Sequence, residues 1–257
     1  MPARGQNRNG WWALGFLAAV GLITIVAAVW RAEKLIPSIA KLQSNDYLEK
    51  KLNLPQWVGL AEVAPLAVEA ILTSEDDEFY SNRGFELSSM WEAFKADLKA
   101  MKFKRGASTI TQQVMKNTLL TKRKTISRKI EELVLAQAAE KRLTKDRILE
   151  IYLNTAQWGE KLYGIEEASR YYFGVDAKNL TLEEGVYLAA LLPSPVRYSR
   201  SFKKGQVSLR DQKVMDSILE RMLVLDQIRA DQFEKAQAAL LPFEQPLIAS
   251  QTPASTP

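Results

Sequence analysis

The feature that most constrains this chain is a run of twenty uncharged residues, Trp11 to Trp30, reading WWALGFLAAVGLITIVAAVW. As a helix rising about 1.5 Å per residue, such a run covers the roughly 30 Å hydrocarbon core of a bilayer. Tryptophans stand at both ends, where their amphipathic rings favour the membrane–water interface. A cleavable leader has a shorter apolar region, about 7–15 residues, and ends at a small-residue cleavage site. Here the run ends in Val29-Trp30-Arg31, so the sequence predicts a retained transmembrane helix over residues 11–30. Arg4 and Arg8 precede it and Arg31 and Lys34 follow, a balance that leaves its orientation undecided by charge.

Beyond the anchor, residues 31–60 read as a juxtamembrane stalk containing Leu54-Pro55-Gln56-Trp57, and residues 61–241 as a mainly α globular domain. Thr181-x-x-Glu184 is a capping box for a helix over 182–192 that must stop before Pro193. Thr144 caps a helix over 145–153, with Asp146 in the first turn, where a carboxylate suits the helix dipole. Ser208 caps another, on which Val214, Ile218, Met222 and Leu225 fall at helical spacing, and Asp231-x-x-Glu234 opens a short one. Alternating strand patterns are scarce. The Pro-, Ser- and Thr-rich tail over 242–257 reads as disordered.

Histidine and cysteine are absent from all 257 residues. That excludes disulfides, thiolate-bound zinc and iron–sulfur clusters, cysteine nucleophiles and every Ser-His-Asp arrangement. Chemistry here must run on carboxylates, hydroxyls, amides, Lys and Arg. The formal charge of +5 is unevenly spread: Lys95–Arg147 holds fifteen Lys/Arg against five Asp/Glu, a local +10 that leaves −5 elsewhere. An anionic partner is therefore expected at that segment. Within it, 87–105 carries an apolar stripe (Leu87, Met90, Trp91, Phe94, Leu98, Met101) edged by Lys95, Lys99, Lys102 and Lys104. This pattern suits either a core-facing helix or one lying in lipid headgroups.

Three clusters carry chemistry. Glu75-Asp76-Asp77-Glu78 follows the apolar segment 64–72, and mutual repulsion with partial burial would raise a carboxyl pKa, as a general base requires. Arg105 to Gln113 is a small-residue turn crowded with Ser108, Thr109, Thr111, Gln112 and Gln113, followed by Lys116-Asn117. Such groups hydrogen-bond sugar hydroxyls, acetamides or phosphate oxygens. Arg128, Lys129 and Glu132 stand three and four residues apart on one helical face.

The order and wording of these clusters resemble the peptidoglycan glycosyltransferase family (family 51). The resemblance rests on Glu75-Asp76-x-x-Phe79, Gly106-Ala107-Ser108-Thr109-Ile110-Thr111-Gln112-Gln113-x-x-Lys116-Asn117, and Arg128-Lys129-x-x-Glu132. It continues through Ile148-Leu149-Glu150-Ile151-Tyr152-Leu153-Asn154, Tyr163-Gly164-Ile165-Glu166, Tyr172-Phe173-Gly174 and Leu191-Leu192-Pro193-Ser194-Pro195, covering about residues 60–200. The expected length leaves no room for a penicillin-binding domain, so the chain resembles the monofunctional branch; Ser201-x-x-Lys204 is read as coincidence.

The resemblance implies a lysozyme-like, mainly helical, two-lobed domain outside the bacterial cytoplasmic membrane, with residues 1–10 on the cytoplasmic side. Such a protein extends a glycan strand from undecaprenyl diphosphate onto the 4-hydroxyl of lipid II, with inversion. Lipid II, the growing strand, membrane lipids and other cell-wall synthesis proteins are the implied partners, and nucleic acid is not. A divalent cation (Mg²⁺ or Mn²⁺), bound through the substrate diphosphate, is the implied cofactor, with no metal held by protein groups alone. Glu75 maps onto the family's catalytic base and Glu132 onto its second carboxylate. Lys116, Lys124, Arg128 and Lys129 would face the diphosphate; Asp76, Phe79, Asn82, Ser108, Thr109, Gln112, Gln113 and Asn154 complete the implied substrate cleft.

Two positions depart from the family pattern. Asn82 replaces its usual histidine; it can keep a hydrogen bond but cannot take up a proton or a positive charge near neutral pH. Lys124, beside Arg123, replaces an arginine and loses its bidentate fork. Two other classes compete with a polymerase: a lysozyme-like hydrolase, which also uses carboxylates but needs no cationic cluster, and an inactive membrane-anchored scaffold.

Overall fold

The apolar run folds as the middle of one helix, α1 (Arg8–Leu35), in a computed structural model describing residues 8–81, 108–121 and 125–244. Trp12, Phe16, Leu17, Leu22, Ile23, Val26 and Trp30 are exposed, so the outer part of α1 presents apolar surface to its surroundings. It is the one helix among the described residues long and apolar enough to cross a membrane. Its lower end turns inward, where Ala28 and Ala32 are fully buried.

The segment expected as a stalk is part of the folded domain. A 3-10 helix (Ile36–Gln43) and α2 (Asn45–Leu52) follow α1, and Ile39, Leu42 and Leu48 are completely buried. The spacing Ile36, Ile39, Leu42 places one apolar residue on each three-residue turn, which suits a 3-10 helix lying along a core.

The core is helical. It is built from α3 (Pro65–Glu75), α4 (Ile110–Thr118), α5 (Ile126–Glu140), α6 (Lys145–Thr155), α7 (Ile165–Phe173), α8 (Leu182–Leu191), the single turn α9 (Pro195–Tyr198), α10 (Leu209–Val224) and α11 (Ala230–Ala238). Two short antiparallel strands, β1 (Gln157–Gly159) and β2 (Leu162–Tyr163), form a hairpin between α6 and α7. Helix α3 packs on α8 and α10, α4 lies between α5 and α6, and α1 packs along α5. At the α3–α8 crossing a Cβ on Gly185 would fall 2.5 Å from Ala67 Cα, so only glycine permits that approach. The contact matters for function because α3 ends in Glu75.

The hydroxyls of Thr144 and Ser208 cap α6 and α10 as expected, and Thr181 with Glu184 forms the capping box of α8. Helix α6 runs two residues beyond its expected end, to Thr155. On α10 the buried stripe is Met215, Ile218, Leu219 and Met222, whereas Leu225, past the helix end, is exposed. Asp231 does not open α11 as a cap. The helix starts one residue earlier, Gln232 Oε1 accepts the Arg229 N–H at 3.0 Å, and Asp231 pairs with Arg229. The fold also extends past residue 241. Phe243 lies 5.1 Å from Phe202 and 5.2 Å from Tyr187 between ring centroids, and Glu244 accepts the Val207 N–H at 3.0 Å. An aromatic ring with a built pocket to enter overrides the tail's polar composition.

Candidate active site

Helix α3 ends at Glu75 because Asp76 leaves helical geometry (φ −165°, ψ 73°). The Asp76 carboxylate then accepts the backbone N–H of Ile110 at 3.0 Å, at the start of α4, where amides lack intrahelical partners. Thr109 caps the same helix by accepting the Gln112 N–H at 3.3 Å. These two bonds set the end of α3 against the start of α4. One residue further along α4, Gln113 Nε2 donates to Glu75 Oε2 at 2.7 Å.

Glu75 is therefore held by a neutral amide. Burial pushes its carboxyl above the ordinary value; the Gln113 bond and nearby Lys116 oppose that, and the Asp76 charge adds to it. Asp76 is also raised, again chiefly by burial, against the Ile110 N–H and Lys145. Tyr152, fully buried beneath both, is raised by burial and by their charges.

The second carboxylate, Glu132, points inward from α5 and is 3% exposed. It pairs with Arg128 one turn earlier and with Lys129 Nζ at 3.1 Å. Lys129 Nζ also donates to Ser108 Oγ at 2.8 Å and Gln112 Oε1 at 2.9 Å, joining α5 to the start of α4. Burial lowers Lys129 to about 8, with help from the charges of Lys116 and Arg128. Lys116, still reached by solvent at the cluster's edge, is lowered by partial burial and by Arg128, with Glu75 opposing. Arg128 Nε is buried and has no hydrogen-bond partner among the described residues.

The structure thus gathers Glu75, Asp76, Ser108, Thr109, Gln112, Gln113, Lys116, Arg128, Lys129 and Glu132 around the junction of α3, α4 and α5. Two residues implied for the cleft lie elsewhere in character. Phe79 is 1% exposed and supports Lys145, whose Nζ sits 4.5 Å from the ring centroid. Asn154, 1% exposed, spends both ends of its amide on the fold: Oδ1 accepts the Val58 N–H at 3.0 Å, and Nδ2 donates to Val58 O and Glu150 O, each at 2.8 Å. Asn82, Lys124 and the 87–105 stripe lie outside the described residues.

Sequence reasoning missed a supporting group beside Asp76. Glu140 accepts from the Thr111 hydroxyl and pairs with Lys145 at 2.9 Å, tying the far end of α5 to α4 and α6. The only signal was a Glu and a Lys five residues apart across a helix break, a spacing without regular geometry.

With this geometry in place, comparison with known proteins is decisive: the transglycosylase family model matches residues 44–222, well over half the chain. The chain belongs to the transglycosylase family. The family match begins inside the segment expected as a stalk, in keeping with its burial. Penicillin-binding protein 2D of Bacillus subtilis is 39% identical over 203 residues, covering 79% of this chain but 29% of that protein. The biosynthetic peptidoglycan transglycosylase of Nitrosomonas eutropha is 38% identical over 160 residues, 60% of this chain and 66% of that one. Its namesake in Nitrobacter winogradskyi is 44% identical over 184 residues, 71% and 81% of the two chains. This transglycosylase-family chain thus spans under a third of the first relative and about two thirds of the second.

Proposed function

We propose that this protein is a peptidoglycan glycan-strand polymerase, transferring a lipid-linked glycan from undecaprenyl diphosphate onto the 4-hydroxyl of lipid II with inversion at the anomeric carbon. One observation carries the reading: a desolvated carboxylate held by an amide, Glu75 on Gln113, stands beside a cluster of three cations, Lys116, Arg128 and Lys129.

Glu75, raised by burial, is suited to take the proton of the acceptor hydroxyl as that oxygen attacks. The Gln113 N–H fixes the direction of the carboxylate without neutralising it. As the glycosidic bond to the donor diphosphate breaks, negative charge builds on the leaving oxygens. Fixed cations in a partly dry site stabilise that charge more than water does. Arg128 offers its unpartnered Nε–H, and Lys116 makes no ion pair among the described residues. Glu132 keeps Arg128 and Lys129 oriented while no anion is bound.

No group of three or more acidic side chains converges on a common point among the described residues, and Glu132 is already paired with two cations. A divalent ion, as the family resemblance implies, would be held through the substrate diphosphate, and no step above depends on it. Helix α1 would be a single-pass anchor in the cytoplasmic membrane, with the site on the extracytoplasmic side, where lipid-linked substrate and the growing strand are found.

The test is purified full-length protein in detergent with labelled lipid II, with and without Mg²⁺ or Mn²⁺. Long glycan strands are the expected product. Release of soluble fragments from isolated cell wall, without strand growth, would establish a hydrolase instead; neither product would leave a scaffold.

A further inference from the structure

We infer that the inner end of α1 is a positioning element for the cationic cluster: clamped to α5 through Arg31 and Glu131, it fixes the rotation of α5 that presents Arg128, Lys129 and Glu132. The effect on turnover rests on the proposed polymerase reading; the geometric claim does not.

A helix that served only as a tether would need no matched surface on the domain. Here α1 packs along α5, the helix that carries the cluster. Ala28 and Ala32, four residues apart and on one face, are fully buried, and Leu35 continues that face against the core. Their small side chains let the two helices approach closely. Between them Arg31 Nε donates to Glu131 Oε1 at 2.8 Å, and the Glu131 side chain is only 12% exposed.

Glu131 and Glu132 are consecutive, so a helical step of about 100° separates their side chains. One faces α1 and the other faces Arg128 and Lys129. Turning α5 by one residue would exchange those surroundings and pull Lys129 from Ser108 and Gln112. The α1–α5 contact is therefore coupled to the register of the cluster, with the largely covered Glu131 carboxylate held by a half-exposed Arg31.

The readout is the ionisation of the Lys129 amine, followed as pH-dependent acylation of that residue by mass spectrometry on the full chain in detergent micelles. Arg31→Glu should move the Lys129 titration upward from about 8 toward the ordinary lysine value as α5 relaxes. The exchange Arg31→Glu with Glu131→Arg should bring it back. Lys34→Glu makes the same change of charge one turn away, on a side chain that lies over Trp30 at 3.3 Å, and should leave the titration in place. Arg31→Gln, which keeps a hydrogen-bonding end, should give a smaller shift and covers a failure of the glutamate variant to fold.

In the polymerisation assay Arg31→Glu should lower kcat by about tenfold, within the usual range for a remote coupled residue, with less change in KM. An unmoved Lys129 titration in both Arg31 variants, or equal shifts in Arg31→Glu and Lys34→Glu, would overturn the inference. If wild-type protein makes no polymer but Lys129 still responds to Arg31, the polymerase reading fails and the positioning role stands.

Discussion

Two clusters of polar groups in this domain are satisfied very differently. Around Asn154 the groups are matched. Asn154 holds Val58 by both its N–H and its carbonyl. Glu150 accepts from Trp57 Nε1 at 3.0 Å and Leu60 N–H at 3.2 Å and pairs with Arg147. Arg147 in turn donates to Leu42 O from Nε at 3.0 Å and from its terminal nitrogen at 2.7 Å. This cluster fastens the segment after α1 to α6. Around Glu75 the balance is incomplete: one neutral donor for a desolvated carboxylate, a buried Arg128 Nε without a partner among the described residues, and two lysines lowered by burial and by neighbouring cations. Groups with shifted ionisation cluster at functional sites, although the buried Trp158 Nε1 and Tyr187 hydroxyl, away from this junction, also lack a partner among the described residues. Polar residues in a family motif thus divide into fasteners, such as Asn154, whose bonds are spent on the fold, and candidate reagents, such as Glu75, which accepts one amide donor.

Substitutions should separate the clusters sharply. The largest effect is expected at Glu75→Gln, which keeps the Gln113 contact but removes the base. Polymerisation should fall by about 10²–10⁴, the usual worth of a positioned general base. Because burial already disfavours the charge, the thermal midpoint should hold or rise. A proportionate loss of activity and stability would make Glu75 a fastener instead.

Asn154→Leu should do the reverse. It leaves the Val58 N–H and carbonyl buried without their partner, at about 1–3 kcal/mol for each orphaned group. Urea denaturation should show that loss, while activity per folded molecule stays close to wild type.

The pH profile probes the incomplete cluster directly. Glu75 must be ionised to accept a proton, and its pKa is raised, so activity should be lost as pH falls through a value above 4.5. Lys129 must be protonated to hold Glu132 and face the leaving group, so activity should also fall as pH rises through about 8. Gln113→Ala removes a bond that lowers the Glu75 pKa, and should move the acidic limb to higher pH. The smallest effect is expected at Glu150→Gln, where an amide can replace only some of the acceptor bonds. A loss of about 1–2 kcal/mol in stability, with kcat/KM unchanged, would mark it as a fastener.

Much of this was legible before any coordinates, because it depends on neighbours in the chain. The span of α1 follows from an uncharged run, and the caps by Thr144, Thr181 and Ser208 from hydroxyls ahead of apolar spacing. The face joining Arg128, Lys129 and Glu132 follows from helical periodicity. The motif order named Glu75, Glu132, Lys116, Arg128 and Lys129, which the fold gathers at one junction. Where sequence reasoning erred, the missing fact was distant in the chain. Residues 31–60 looked like a stalk because nothing local announces the surface that buries Ile39, Leu42 and Leu48. Phe243 sits in a polar tail but finds rings from three other segments.

The sequence by itself determined which residue types are available for chemistry, carboxylates and cations without histidine or cysteine, and which short segments carry them. Only the tertiary structure decided that Glu75 meets an amide, that Asn154 is consumed by the fold, and that Arg31 of α1 grips the helix bearing the cations. The physical reason is that helix formation and capping are settled over a few residues. Desolvation and hydrogen-bond saturation depend instead on which remote segments pack around a group, and they decide whether a polar side chain such as Asn154 is spent on the fold.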